Sequence, residues 1–172
     1  MAEKQFSVDH VESYLPHRKP FLFVDHADIN EDKTKVWTHH AFLPEEPYFE
    51  GHFPNDPIVP GVVLLECLAQ SAHLLLSFRE GRMMPGYLVS VESANFNAMV
   101  RPGQTVRFEA KLIRQTGELS SGEQSGRIFT FKAAGYLGND RCLRANINVY
   151  QTKNSHNISG QTEIDAKTSE LT

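Results

Sequence analysis

The stretch "GHFPNDPIVPGVVLLECLAQSAHLLLSF", residues 51–78, decides the fold, because it joins a proline-bounded loop to a run of seventeen mostly apolar residues starting at Val62. Leu and Ala favour helix, Pro60 suits a first helical turn, and Gly81 and Pro85 mark the end. Apolar residues occur nearly all round the resulting wheel, so this helix must be enclosed by the rest of the domain. The run falls short of the roughly 18 residues that suggest a membrane span, and Glu66, Gln70 and His73 interrupt it, so no membrane partner is expected.

Outside the helix the hydrophobic period changes to two. Val106, Phe108, Ala110 and Leu112 alternate with polar neighbours, as do Leu143, Ala145, Ile147 and Val149. Segments 126–137 and 141–151 flank Gly138-Asn139-Asp140, a composition suited to a tight hairpin, and 35–42 and 87–100 supply further strands. One enclosed helix and several strands apolar on one face predict an α+β domain in which a curved antiparallel sheet wraps the helix. Residues 1–151 form that single domain. The polar tail, 152–172, has little to bury and is expected to be disordered; its Asn157-Ile158-Ser159 sequon reads as chance.

The 172-residue chain is 40% hydrophobic and 22% charged, within the ordinary range for one globular domain. A net charge of -4 excludes a broad nucleic-acid footprint, so no nucleic-acid partner is expected. The N-terminus has no secretory pattern, which points to the cytoplasm. Cys67 and Cys142 lack metal or redox spacing and read as reduced core residues.

Two residues of the opening stretch carry chemistry. Pro54, Pro57 and Pro60 restrict the backbone around His52, and a histidine held in one orientation is the commonest general base near neutral pH; a tight connection to the helix carrying a partly exposed histidine is the alternative. Glu66 lies among Val63, Leu64, Leu65 and Leu68, where a carboxylate is costly. Half-protonation of a glutamate at neutral pH needs a rise of roughly 2.7 units, about 3.7 kcal/mol, which burial can supply. Glu66 could therefore act as a general acid, aimed by Gln70 one turn on; a structural carboxyl satisfied by Gln70 or a dimer contact is the alternative. Amides at the helix start, near Gly61 and Val62, could bind a carbonyl oxygen acquiring negative charge. Base, acid and amide donors together suit proton abstraction beside a carbonyl with loss of a hydroxyl as water. His39 and His40 are adjacent, would face opposite sides of a strand, and read as surface histidines; His73 has no recognisable companion ligands, so no metal is expected.

"LPHRKPFLFVD" (15–25), "GHFPNDPIVPG" (51–61), "LLECLAQ" (64–70) and "VRPGQTV" (100–106) resemble, in order and separation, motifs of the FabZ-type (3R)-hydroxyacyl-acyl-carrier-protein dehydratases. The resemblance implies a hotdog fold and a homodimer with edge-to-edge sheets, in some members a trimer of dimers. It implies that His52 removes the C2 proton, Glu66 of the other protomer assists departure of the C3 hydroxyl, and the Gly61 amide polarises the thioester carbonyl. No cofactor is implied, and the substrate arrives on acyl carrier protein, for which Arg82 and Arg101 are candidate contacts. Glu66, where the dehydratase-isomerase branch has aspartate, favours dehydration without isomerisation. Asn55-Asp56, Val59, Cys67 and His73 depart from the usual pattern and leave chain length and pathway open. A hotdog thioesterase, an enoyl-CoA hydratase and a non-catalytic acyl-binding regulatory protein are the competing readings.

Overall fold

The computed structural model describes residues 5–117, 119–121 and 124–152. Its helix, α1, runs Gly61–Glu80, with Pro60 as the N-cap residue rather than inside the first turn. Gly81 ends it at φ 70°, a left-handed conformation that costs glycine little, and its N–H closes onto the carbonyls of Phe78 and Ser77. By length and composition this helix could cross a membrane, yet 67% of its apolar window is buried inside the domain, as befits a core helix. From Cys67 to Ser77 every residue is buried, which is the enclosure that its all-round apolar wheel requires.

The strands are β1 (Gln5–Val8), β2 (His26–Asn30), β3 (Lys35–Ala41), β4 (Gly86–Phe96), β5 (Thr105–Gln115), β6 (Leu119–Ser121), β7 (Gln124–Leu137) and β8 (Asp140–Thr152). They form one antiparallel sheet in the order β1-β2-β3-β5-β7-β8-β4, with β6 added to β7. The strands expected from two-residue alternation are all present. β7 and β8 pair from Leu137↔Asp140 outward across a two-residue turn, Gly138-Asn139, in which Gly138 has φ 59°. β1, β2 and β6 were not anticipated: they are three to five residues long, too short for alternation to register.

Alternation puts one face of each central strand onto α1. Val36, Val106, Phe108, Ala110, Phe131, Leu143 and Ile147 are buried against Leu68, Leu74, Leu75 and Leu76. One polar tie crosses this interface: the Thr38 and Ser71 hydroxyls lie 2.7 Å apart, and Ser71 also donates to the Cys67 carbonyl. Cys67 and Cys142 are free and buried, as expected, and burial pushes the Cys67 thiol well above its ordinary range. The wrapped-helix α+β expectation, the hotdog architecture, describes this molecule. The tail beyond Thr152, with its sequon, lies outside the described residues.

One expectation is corrected. His39 and His40 do face opposite sides of β3, but His40 is a core residue, 4% exposed, and not a surface histidine. Its ring packs edge-on against Phe23 and Phe42, and Nδ1 lies 3.1 Å from Asp25 Oδ2. A strand at the middle of a wrapped sheet has no solvent on its inner side, so whichever histidine takes the inward register is enclosed.

Candidate active site

Glu66 lies in the second turn of α1, where the helix is leaving solvent. Its carboxyl is half-buried, and burial raises its pKa, partly offset by a hydrogen bond from Gln70. That bond, Gln70 Nε2 to Glu66 Oε1, is 3.0 Å long. Gln70 is itself immobilised, because its Oε1 accepts the Phe23 N–H at 2.8 Å and its Nε2 also donates to the Phe21 carbonyl at 2.9 Å. These two backbone groups determine which end of the amide is nitrogen, so the group facing Glu66 is a donor and Glu66 Oε1 an acceptor. The sequence "PFLF" thus clamps the glutamine, and the glutamine clamps the Glu66 carboxyl.

His52 sits in the loop before α1. Its Nδ1 is 3.1 Å from the Ile58 carbonyl, and its ring stacks on Phe53 at 4.2 Å between centroids. A carbonyl can only accept, so Nδ1 carries the hydrogen, and in the neutral ring Nε2 then presents a lone pair, the form a general base needs. The loop is closed by a hydrogen bond from Ile58 N to His52 O and joined to the strand side through Val59 N and Val100 O. Among the described residues, His52 and Glu66 of one chain share no hydrogen bond or ion pair.

The first helical hydrogen bonds are donated by Val63 and Leu64, both to Pro60 O. Gly61 and Val62 precede them, and no hydrogen bond from either amide is recorded among the described residues. Gly61 is also where the helix meets β4: a Cβ there would stand 3.0 Å from the Phe96 ring.

Other singled-out residues fall elsewhere. Arg101 is paired with Asp56, whereas Arg82 is exposed and forms no ion pair among the described residues. His73 is buried and bonded through Nε2 to the Met84 carbonyl, and burial lowers its pKa. Among the described residues no cluster of metal-ligating side chains occurs.

The sequence reading missed His17. It lies in "LPHRKPFLFVD", where no spacing rule connects it to a helix some fifty residues away, yet its Nε2 stands 3.6 Å from Glu66 Oε1.

Residues 28–129 match the family model described as ApeI dehydratase. A 3-hydroxyacyl-[acyl-carrier-protein] dehydratase FabZ from Oceanobacillus iheyensis is 35% identical over 117 residues, 67% of this chain and 84% of the relative. The enzyme of the same name from Chloroflexus aggregans is 37% identical over 125 residues, 71% of this chain and 85% of the relative. Among solved structures, the dehydratase heterocomplex ApeI:P from Xenorhabdus doucetiae superposes with a TM-score of 0.64 at 16% identity, covering 82% of this chain and 90% of that one, a likeness of fold. The wrapped helix and the extent of these matches together make the chain a member of the FabZ-type hotdog dehydratase family.

Proposed function

We propose that this protein catalyses the reversible dehydration of (3R)-hydroxyacyl-acyl-carrier-protein thioesters to the trans-2-enoyl form in fatty-acid or related acyl-chain synthesis in the cytoplasm. The observation that carries the reading is the Glu66 carboxyl, clamped by Gln70 and biased by burial toward its protonated form. His52 Nε2 takes the C2 proton, and the electron pair moves into the C2–C3 bond. The C3–O bond breaks as Glu66 delivers its proton and water leaves. The Gly61 and Val62 amides receive the charge that builds on the thioester oxygen.

The working pair comes from two copies. β4 is hydrogen-bonded to β8 on one side and ends the sheet on the other, and it exposes Tyr87, Leu88, Val89, Val91 and Phe96. A long apolar edge is a template for another strand, and a second copy laid antiparallel along β4 would bury it and bring one chain's His52 to the other's Glu66. Three such dimers can assemble further. The acidic carrier protein would dock near the exposed Arg82.

The test is turnover of a panel of (3R)-hydroxyacyl carrier-protein thioesters followed by mass spectrometry. Loss of one water is expected from the wild type and not from a His52→Ala, Glu66→Gln double variant. Release of free acid would make it a thioesterase, activity confined to CoA thioesters would make it a CoA hydratase, and saturable binding without turnover would make it a non-catalytic acyl-binding protein.

A further inference from the structure

Two polar groups meet at one oxygen of the candidate acid. Gln70 Nε2 donates to Glu66 Oε1 at 3.0 Å, and His17 Nε2 approaches the same atom at 3.6 Å. That second distance lies just beyond hydrogen-bond reach, as is common for catalytic contacts before substrate is bound. The other ring nitrogen of His17, Nδ1, is buried and has no hydrogen-bond partner among the described residues. A hydrogen on Nδ1 would be a donor orphaned in a closed space, whereas a lone pair there costs less. The ring therefore places its hydrogen on Nε2, facing the carboxyl.

Burial and Arg18 favour the neutral form of His17. Its imidazole is depressed by burial and by the Arg18 guanidinium beside it. Arg18 is turned away, donating to the carbonyls of Leu15, His17 and Glu12. From α1, Glu66 faces the ring's Nε2, and the buried His73 stands edge-on behind it at 6.2 Å between centroids. On its own loop Phe21 packs at 6.4 Å. A neutral imidazole with Nε2–H is a hydrogen-bond donor with a fixed direction and no charge of its own.

We propose that His17 is a positioning residue for the Glu66 carboxyl: its Nε2–H is a second donor to Oε1 and, with Gln70, it confines the acidic proton to Oε2. A carboxylic acid can carry its proton on either oxygen, and only the oxygen turned toward the substrate hydroxyl is productive. Two donors on Oε1 make that oxygen the carbonyl and the other the acid. After the proton has gone to the leaving hydroxyl, the same donors stabilise the carboxylate that remains. This assignment deepens the dehydratase reading and rests on it for the identity of the substrate.

His17→Phe keeps the ring against Phe21 and His73 but removes the donor; His17→Gln can restore an N–H near the original Nε2. In His17→Phe, kcat is expected to fall about tenfold with KM within about twofold, the scale of losing a group that orients a catalytic one. Because the lost donor favours the charged carboxylate, the alkaline limb of the kcat profile should move to higher pH, and His17→Gln should return both toward wild type. An unchanged limb and kcat in His17→Phe would overturn the proposal. So would a folded His17→Gln no better than His17→Phe, since a packing role alone predicts that result. The Glu66 titration, followed by carbon NMR of the labelled side chain in wild type and His17→Phe, separates this from the dehydratase reading. An upward shift there supports the positioning role even if no hydroxyacyl thioester turns over, and no shift refutes it even if one does.

Discussion

Glu66 is held in two opposing ways, by burial that favours its neutral form and by a Gln70 hydrogen bond that favours the charged one, and burial is the larger. Its folded pKa therefore lies above the unfolded one, and the folded state binds more protons. The associated stability is complete below the ordinary glutamate range and is lost as pH rises through the raised value. Glu66→Gln, an uncharged mimic of the acid, should remove this loss: its melting temperature should exceed the wild type's by a margin that widens from acidic to neutral pH, while dehydration falls at least 100-fold. A margin constant with pH would mean that burial of this carboxyl is not what loads its proton. At this scale much was legible. A glutamate among leucines signals a cost that has to be compensated, and a histidine between prolines signals an oriented ring. His17 was not legible, because its partner is reached through the chain's path in space and not through any sequence interval.

Among the elements, α1 and its two ends do most to arrange the site. At the start the Gly61 and Val62 amides precede the first helical hydrogen bonds, and the far end is closed by Gly81 in a conformation other residues enter at a cost. Gly81→Ala should lower stability by about 1 kcal/mol, read as the shift of the urea midpoint at unchanged slope, and leave KM unaltered. An equal loss with a changed KM would mean that this turn also shapes the substrate path. The helix and the long strands could be read from period and punctuation, and so could the Gly138-Asn139 turn. The inward register of His40 could not: both histidines of the pair are equally polar, and the sheet's neighbours choose between them.

At the scale of the whole molecule, the exposed edge of β4 and the lack of a hydrogen bond or ion pair between His52 and Glu66 among the described residues lead to the same expectation. Val89→Lys or Val91→Lys should turn a dimer into a monomer by light scattering and reduce turnover at least 100-fold, with the far-ultraviolet spectrum unchanged. A sharper measurement mixes inactive His52→Ala and Glu66→Gln chains. If sites are shared, random reassociation makes half the dimers mixed, each with one intact site of two, so about a quarter of wild-type activity should return. Activity staying at zero in demonstrably mixed dimers would place both groups in one chain. Edge pairing is not legible in a single sequence without a known relative, because the pattern of a strand shows which face is buried and not which neighbour lies along it.

The sheet order also sets a schedule for the chain's manufacture. β4 is made before β5, β6 and β7, yet its neighbour is β8, with Phe96 against Leu143 and Gly86 against Gln151. A growing chain must therefore carry this apolar exposed strand unpaired until β8 has been added as far as Gln151, several seconds at ordinary synthesis rates. Release of ribosome-stalled chains at residue 139 should give protease-sensitive, chaperone-bound product. Chains stalled after Thr152 should be resistant, with no stepwise gain of protection between.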